Sequence, residues 1–295
     1  MFEYLRVPYA APVAENGFWG EQTSTLNFCE EDYVISSYCA EMCNTVTNGL
    51  FIWLGTRGFR NCINETHAFV FHLAFAGYMV VGLGSIMFHA TLKYPMQLVD
   101  ELSMIYTTCL MMYASFSLSR SKSFCVFLGL SLLALAGSIT VYYHKTKDPL
   151  FHQATYGALT AIIVFRSMWI MEMQVRPKLE SAGRDGACHE LKTVWIMVAT
   201  GLSIFVAGFG VWNVDNVLCD QLRQWRRAMG LPWAIVLEGH AWWHLMTGIG
   251  AYYYITWGIW LRHCLDGRHE QFRLRWSRTL LSIPVVESVA KAKSN

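Results

Sequence analysis

The sequence predicts an all-α membrane protein, a single bundle of seven transmembrane helices with a lumenal N-terminus and a cytosolic C-terminus. Three observations lead there. The 295 residues are 54% hydrophobic and only 15% charged, where soluble domains are about a quarter charged. Twelve Trp and fourteen Tyr supply aromatic belts for the two membrane surfaces. Apolar stretches near the length that crosses a hydrocarbon core recur seven times, at roughly 37–56, 66–89, 98–119, 123–143, 150–172, 193–213 and 239–262.

Stretches one and three are the least apolar, because they carry Glu41, Asn44, Asn48, Asp100 and Glu101. They are kept because most of the gaps that result are short loops. The reading is therefore a lumenal tail over 1–36, a membrane domain over 37–263 and a basic cytosolic tail over 264–295. With seven spans, 15 Lys and Arg fall on the C-terminal side and 7 on the N-terminal side. The positive side faces the cytosol. The N-terminal tail, with six acids and one Arg, is easily translocated.

A net charge of +2 without a basic patch excludes nucleic acid as a partner. The first 36 residues hold no compact apolar segment of the signal-peptide kind, so the first span is expected to direct targeting. The chain ends KAKSN. Lys291 and Lys293 have the spacing of a dilysine address read by cytosolic coat proteins, or form an ordinary polar tail. The sequon Asn64-Glu65-Thr66 falls in a cytosolic loop and is expected to stay unglycosylated. Of nine cysteines, Cys29 and Cys219 clearly lie in lumenal segments, where an oxidising compartment permits a bridge.

Ionisable groups inside spans are costly and so point to function. Ser85 and His89 sit one turn apart at the end of span two, Asp100 opens span three, and His240 and His244 open span seven in HAWWH. Alternating topology puts all of them at the lumenal side. Two histidines four apart share a helix face, and a third from another helix completes a three-histidine zinc set with the fourth position left for water. Asp100 would then act as general base and acid, and Ser85 as an oxyanion donor. The competing reading is an interfacial belt of Trp and His. His67 and His72 are read as structural, as is His152.

A second cluster, NFCEEDYVISSYCAE, gathers Asn27, Glu30, Glu31, Asp32 and Glu41, with Phe28 offering a backbone carbonyl. Oxygen ligands so close together suit a hard cation such as Ca2+. The competing reading is a helix N-terminus with acids in its first turn. Asn44 and Asn48 share a face and are expected to hydrogen-bond between helices. Asp215 is expected to cap a helix end or touch the N-terminal tail.

The stretches WGEQTSTLNFCEEDYVISSYCAEMCNTVTN, GSIMFHATLKYPMQLVDELSMIY, DPLFHQATYG and GHAWWHLMTGIG closely resemble the alkaline ceramidase family, in order and with matching spacing from Trp19 to about Tyr254. The tail after Arg262 lies outside the likeness. The resemblance implies a seven-helix intramembrane zinc amidase that cleaves ceramide to a sphingoid base and a fatty acid, in the endoplasmic reticulum or Golgi membrane. It implies zinc on His89, His240 and His244, and catalysis by Ser85 and Asp100. It implies calcium on Asn27, the Phe28 carbonyl, Glu30, Asp32 and Glu41, and a disulfide between Cys29 and Cys219. The chain departs from the family at Asn27-Phe28, where Asp-Trp is common, at Asp32, often Asn, and at Ser103, often Pro. The last change is expected to straighten span three near Asp100. Two alternatives stand beside the enzyme: a zinc-containing seven-helix receptor of the adiponectin and progestin receptor type, whose adiponectin members put the N-terminus in the cytosol, and a membrane protein that uses zinc only structurally.

Overall fold

The computed structural model describes residues 7–9, 17–181, 187–277 and 282–292. It is mostly helical: α1 (Met42–Thr47), α2 (Gly49–Asn64), α3 (Phe69–Thr91), α4 (Tyr94–Phe116), α5 (Lys122–Thr146), α6 (Pro149–Ile170), α7 (Arg176–Ser181), α8 (Ala187–Val217), α9 (Cys219–Met229) and α10 (Gly239–Leu265). A π-helical turn, Met171–Val175, joins α6 to α7, and a 3-10 turn, Trp233–Leu237, precedes α10. Strands β1 (Phe272–Arg275) and β2 (Val285–Ser288) and a last turn α11 (Val289–Ala292) complete the chain. Among the described residues, four segments are long and apolar enough to cross a membrane: Phe69–Thr91, Lys122–Thr146, Pro149–Ser181 and His189–Val217.

The ends of the helices follow local chemistry. Ser121 accepts from Phe124 N to cap α5, and Asp148 accepts from Leu150 N to cap α6, with Pro149 at its first position. Asp215 accepts from Gly239 N at 3.1 Å, so of its two expected roles it takes the capping one, at the start of α10. Stretch 37–56 is not one helix. Residues 37–41 are non-helical, and Asn48 separates α1 from α2. Thr45, Thr47 and Asn48 donate their side-chain hydrogens to the carbonyls of Glu41, Cys43 and Asn44. Side chains thus compete for the backbone acceptors of this short helix. With Ser at 103, α4 runs unbroken, and Ser103 Oγ donates to Asp100 O at 2.8 Å.

The chain forms two compact units. The first comprises 1–53, 80–103 and 203–249. Its N-terminal segment is more than a polar tail. Ala40 N and Glu41 N donate to the carbonyls of Ala90 and His89, Thr23 N and Ser24 N to that of Leu92, and Thr25 N to Gln97 Oε1. Tyr33, Ala40, Phe88 and Leu92 form a small buried core flanked by Leu26, Phe28 and Met96. Cys29 and Cys219 form the disulfide.

The second unit comprises 54–79, 104–202 and 250–295. Here the expected tail is an antiparallel hairpin, with Phe272 opposite Ser288 and Arg275 opposite Val285. Glu287 bridges Arg273 and Arg275 along one face. His67 is no isolated loop residue: its Nδ1 lies 2.8 Å from His263 Nε2, its Nε2 lies 3.2 Å from Val286 O, and Phe272 stacks on His263. His72 faces Phe59 and Phe69, and buried His152 lies beside Tyr143, both in structural settings. Lys293 lies outside the described residues.

Candidate active site

The first unit brings His89, His240 and His244 together. One nitrogen from each lies within 4.8 Å of the others, and all three residues are buried. The sequence spacing accounts for this: α10 presents His240 and His244 on one face, and the last turn of α3 presents His89.

At His89 the contact behind the ring decides which nitrogen stays free. His89 Nδ1 is in contact with Glu41 Oε2, so the ring donates there and its Nε2 keeps a lone pair. That Nε2 is buried without a partner. Glu41 Oε1 accepts from Phe28 N at 3.1 Å, so one carboxylate ties the N-terminal segment to a histidine. Thr47 Oγ1 donates to Cys43 O at 2.8 Å and lies 3.2 Å from His244 Nδ1. Its lone pair is free to accept from that ring nitrogen. Asn48 Nδ2, which can only donate, lies 3.1 Å from the same nitrogen, so Thr47 and Asn48 favour opposite tautomers of His244. Phe28 stacks on His240, centroids 3.7 Å apart and planes at 19°. A carboxylate or hydroxyl behind a ligand histidine fixes its tautomer and orientation. The orphaned Nε2 and this shell of partners fit a zinc ion.

Ser85 stands one turn before His89 on α3, with its hydroxyl beside the Asp100 carboxyl of α4. Gly84 makes this closeness possible. A Cβ there would sit 2.9 Å from Asp100 N and 3.0 Å from both Asp100 Cα and the Val99 carbonyl carbon. These are backbone atoms, which cannot swing aside. Gly84→Ala is expected to push α3 and α4 apart, with a cost of about 1–3 kcal/mol and a misplaced Asp100. Thermal unfolding together with turnover checks this; wild-type values for both would show that the close approach is dispensable.

The acidic loop is arranged differently from a simple ligand cage. Glu30 accepts from Cys43 N at 2.6 Å and Asn44 N at 2.8 Å, so its carboxylate caps α1. The first turn of α1 itself holds no acid, so the cap comes from a residue distant in the chain and not from the helix start that the sequence suggested. Burial, with the Glu238 and Glu41 charges beside it, raises Glu30 to about 8. Asn27 Nδ2 donates to Asp32 Oδ2 at 3.0 Å, and Asp32 Oδ1 is buried without a partner. Arg223 donates to the Phe28 and Cys29 carbonyls. The orphaned Asp32 oxygen and the crowding of Glu30 by other acids fit a cation in this loop. Glu31 pairs with Arg227 through Oε1, and its Oε2 is also buried without a partner.

Sequence reasoning passed over Arg226, which it counted only as a topology charge. Arg226 is fully buried, donates to Glu238 at 2.6 Å and to Cys29 O at 3.1 Å, and so joins α9, the start of α10 and the N-terminal segment. An Arg on a buried helix face carries no local signal in sequence; its partner Glu238 was the available clue. Thr47 and Gly84 were passed over too.

Helices long and apolar enough for a membrane, and three buried histidines aimed at one point, define the class: a polytopic membrane protein with a metal-site geometry. The chain belongs to the Ceramidase family, whose model matches residues 20–287. It is 37% identical over 258 residues to alkaline ceramidase 3 of Mus musculus, covering 86% of this chain and 89% of that protein. Alkaline ceramidase YPC1 of Saccharomyces cerevisiae is 32% identical over 257 residues, covering 81% and 77%. An alkaline ceramidase of Arabidopsis thaliana is 26% identical over 242 residues, covering 80% and 83%. The match extends past Arg262, so most of the hairpin lies inside the family likeness, contrary to the sequence expectation.

Proposed function

We propose that this protein hydrolyses the amide bond of ceramide, releasing a sphingoid base and a free fatty acid in sphingolipid metabolism. The observation that carries the reading is the buried three-histidine cluster, with the Ser85–Asp100 pair starting one turn away on the same helix. It does so as a seven-span protein of the endoplasmic reticulum or Golgi membrane, N-terminus lumenal, as the 15-to-7 basic bias supports. Family membership and that bias both disfavour the receptor reading.

Zinc held by His89, His240 and His244 would supply Lewis-acid polarisation and a water of lowered pKa. The chain's own residues then have defined tasks. Asp100 accepts a proton from the attacking water as its oxygen bonds to the amide carbon. Asp100 returns that proton to the amine nitrogen as the C–N bond breaks. Ser85 turns its hydroxyl from Asp100 to the developing oxyanion. Burial of the two lipid tails supplies most of the binding. By mass action the reaction runs backwards where fatty acid and sphingoid base accumulate. Purified protein incubated with a panel of ceramides tests this directly: sphingoid base released from at least one of them is expected, and none from folded, zinc-loaded protein would sink the proposal for those substrates.

Calcium in the N-terminal loop is a structural proposal, with Asn27, the Phe28 carbonyl, Glu30, Asp32 and Glu41 as its ligands. Cation binding to the folded state alone adds roughly 2.7 kcal/mol at a hundredfold excess over Kd. Chelation is therefore expected to lower the unfolding temperature, and Asp32→Ala to abolish that response. An unfolding temperature indifferent to added calcium in the wild type would remove the site. The C-terminal Lys291 and Lys293 remain proposed contacts for a coat protein, tested by whether serine at both releases the protein from its compartment.

A further inference from the structure

Helix α9 is amphipathic in an unusual sense. Its inward face carries Leu222 and Arg226, the latter 0% exposed. Its outward surface is divided. Asp220, Gln224 and Arg227 form one strip, whereas Trp225, Ala228 and Met229 form another, with Trp225 53% and Met229 40% exposed. The apolar strip does not end with the helix. In the next turn Ile235 is 44% exposed and Val236 58%, and Trp233 is exposed as well. A connecting segment in water has no reason to turn an arginine inward and tryptophans outward. A helix with adjoining polar and aromatic-aliphatic strips is the kind that lies in a membrane surface.

What covers this strip follows from its two ends. Helix α8, apolar enough to span a membrane, ends at Val217, and α9 begins at Cys219. Val211, Val214 and Val217 are exposed along the last turns of α8, interspersed with exposed Asn213 and Asn216, and after exposed Gln221 the apolar surface resumes in α9 at Trp225. At the other end, exposed Trp242 in the first turn of α10 donates its indole N–H to Val236 O at 3.0 Å. This satisfies the one polar group of a residue type that favours the headgroup level. The 11 residues of α9 give a rod of about 16 Å.

We propose that residues 219–237 lie in the boundary between headgroups and acyl chains of the bilayer, as an interfacial element that touches lipid through Trp225, Met229, Trp233, Ile235 and Val236. Arg226 and Glu238 fasten it from beneath to the start of α10, two residues before His240. The partner is the lipid surface itself. The inference rests on α8 being a membrane span, as proposed above, and the test separates the two.

Single nitroxide side chains are placed at Met229, Val236, Gln224 and Val206, and the full chain is reconstituted into phosphatidylcholine nanodiscs. Val206 lies on the exposed face of α8 and reports its membrane position. Collision rates with oxygen, enriched in lipid, and with a water-soluble nickel chelate are measured by power saturation. The sites at 229 and 236 are expected to match 206, with oxygen dominant, and 224 to favour the nickel chelate. Nickel access at 229 and 236 as high as at 224, with 206 still in lipid, would overturn the proposal and leave the span intact. Low access to both reagents at 229 and 236, with spin–spin broadening between copies, would overturn it in favour of a protein contact. Nickel access at 206 itself would instead remove the membrane reading of α8. The intact Cys29–Cys219 bridge in each labelled protein verifies that the segment is folded.

Discussion

Asp100→Asn is expected to reduce ceramide turnover by roughly 10²–10⁴-fold, the range of a lost general acid–base group, while zinc stays bound at the wild-type amount. Asparagine keeps the shape that fits beside Gly84 and can still bond Ser85, but it cannot take a proton from water or return one to the amine. The proposed metal set is His89, His240 and His244, none of which hydrogen-bonds Asp100 in the structure. Parallel assays of product release and of metal content separate the two roles. Loss of zinc along with activity would make Asp100 a fourth ligand that closes the site, which is the structural reading of the metal. Unchanged turnover would remove Asp100 from the chemistry.

Arg226→Met is expected to destabilise the N-terminal segment and α9 by about 3–5 kcal/mol, because it strands the Glu238 carboxylate in a buried position. Arg226 and Glu238 are 0% and 3% exposed at their side chains and 2.6 Å apart. Arg226 also holds the Cys29 carbonyl, so the disulfide-linked loop loosens with it. Pairing the change with Glu238→Gln removes the stranded charge and is expected to recover most of the loss. Arg227→Ala serves as contrast: its partner is Glu31, but Arg227 is 61% exposed, and a solvent-screened pair contributes little. Thermal unfolding in detergent measures all four proteins. A stability ranking in which Arg226→Met equals wild type would show that the pair does not anchor α9.

The histidine cluster was legible because its signal is local on one side and compositional on the other. His240 and His244 declare a shared face through their spacing, and His89 and Asp100 stand out as costly groups in apolar stretches. The apolar stretches themselves marked the helices well where side-chain chemistry agrees with backbone chemistry, as at Asp148-Pro149. They failed at residues 37–48, where Thr45, Thr47 and Asn48 turn to backbone carbonyls, an effect hydropathy does not register. The N-terminal segment read as a tail because its folding rests on distant partners: Ala90 and Leu92 carbonyls, Gln97, Cys219 and Arg226. The same holds for the hairpin after Leu265, whose placement depends on His67 and His263, nearly two hundred residues apart in the chain. Gly84 was invisible for a different reason, since a glycine in an apolar helix signals a close approach only once the neighbour is known.

The proposed amide hydrolysis depends on the three histidines forming a zinc site. Its most direct test compares wild type with His240→Ala, purified identically, for bound zinc and for sphingoid base released from the ceramide on which wild type is most active. Wild type is expected to carry one zinc and release product, and His240→Ala to lose both while keeping the Cys29–Cys219 bridge and its elution behaviour. Product release by a folded, zinc-free His240→Ala protein would contradict the proposal, since the amide would then be cleaved without the site on which the mechanism stands.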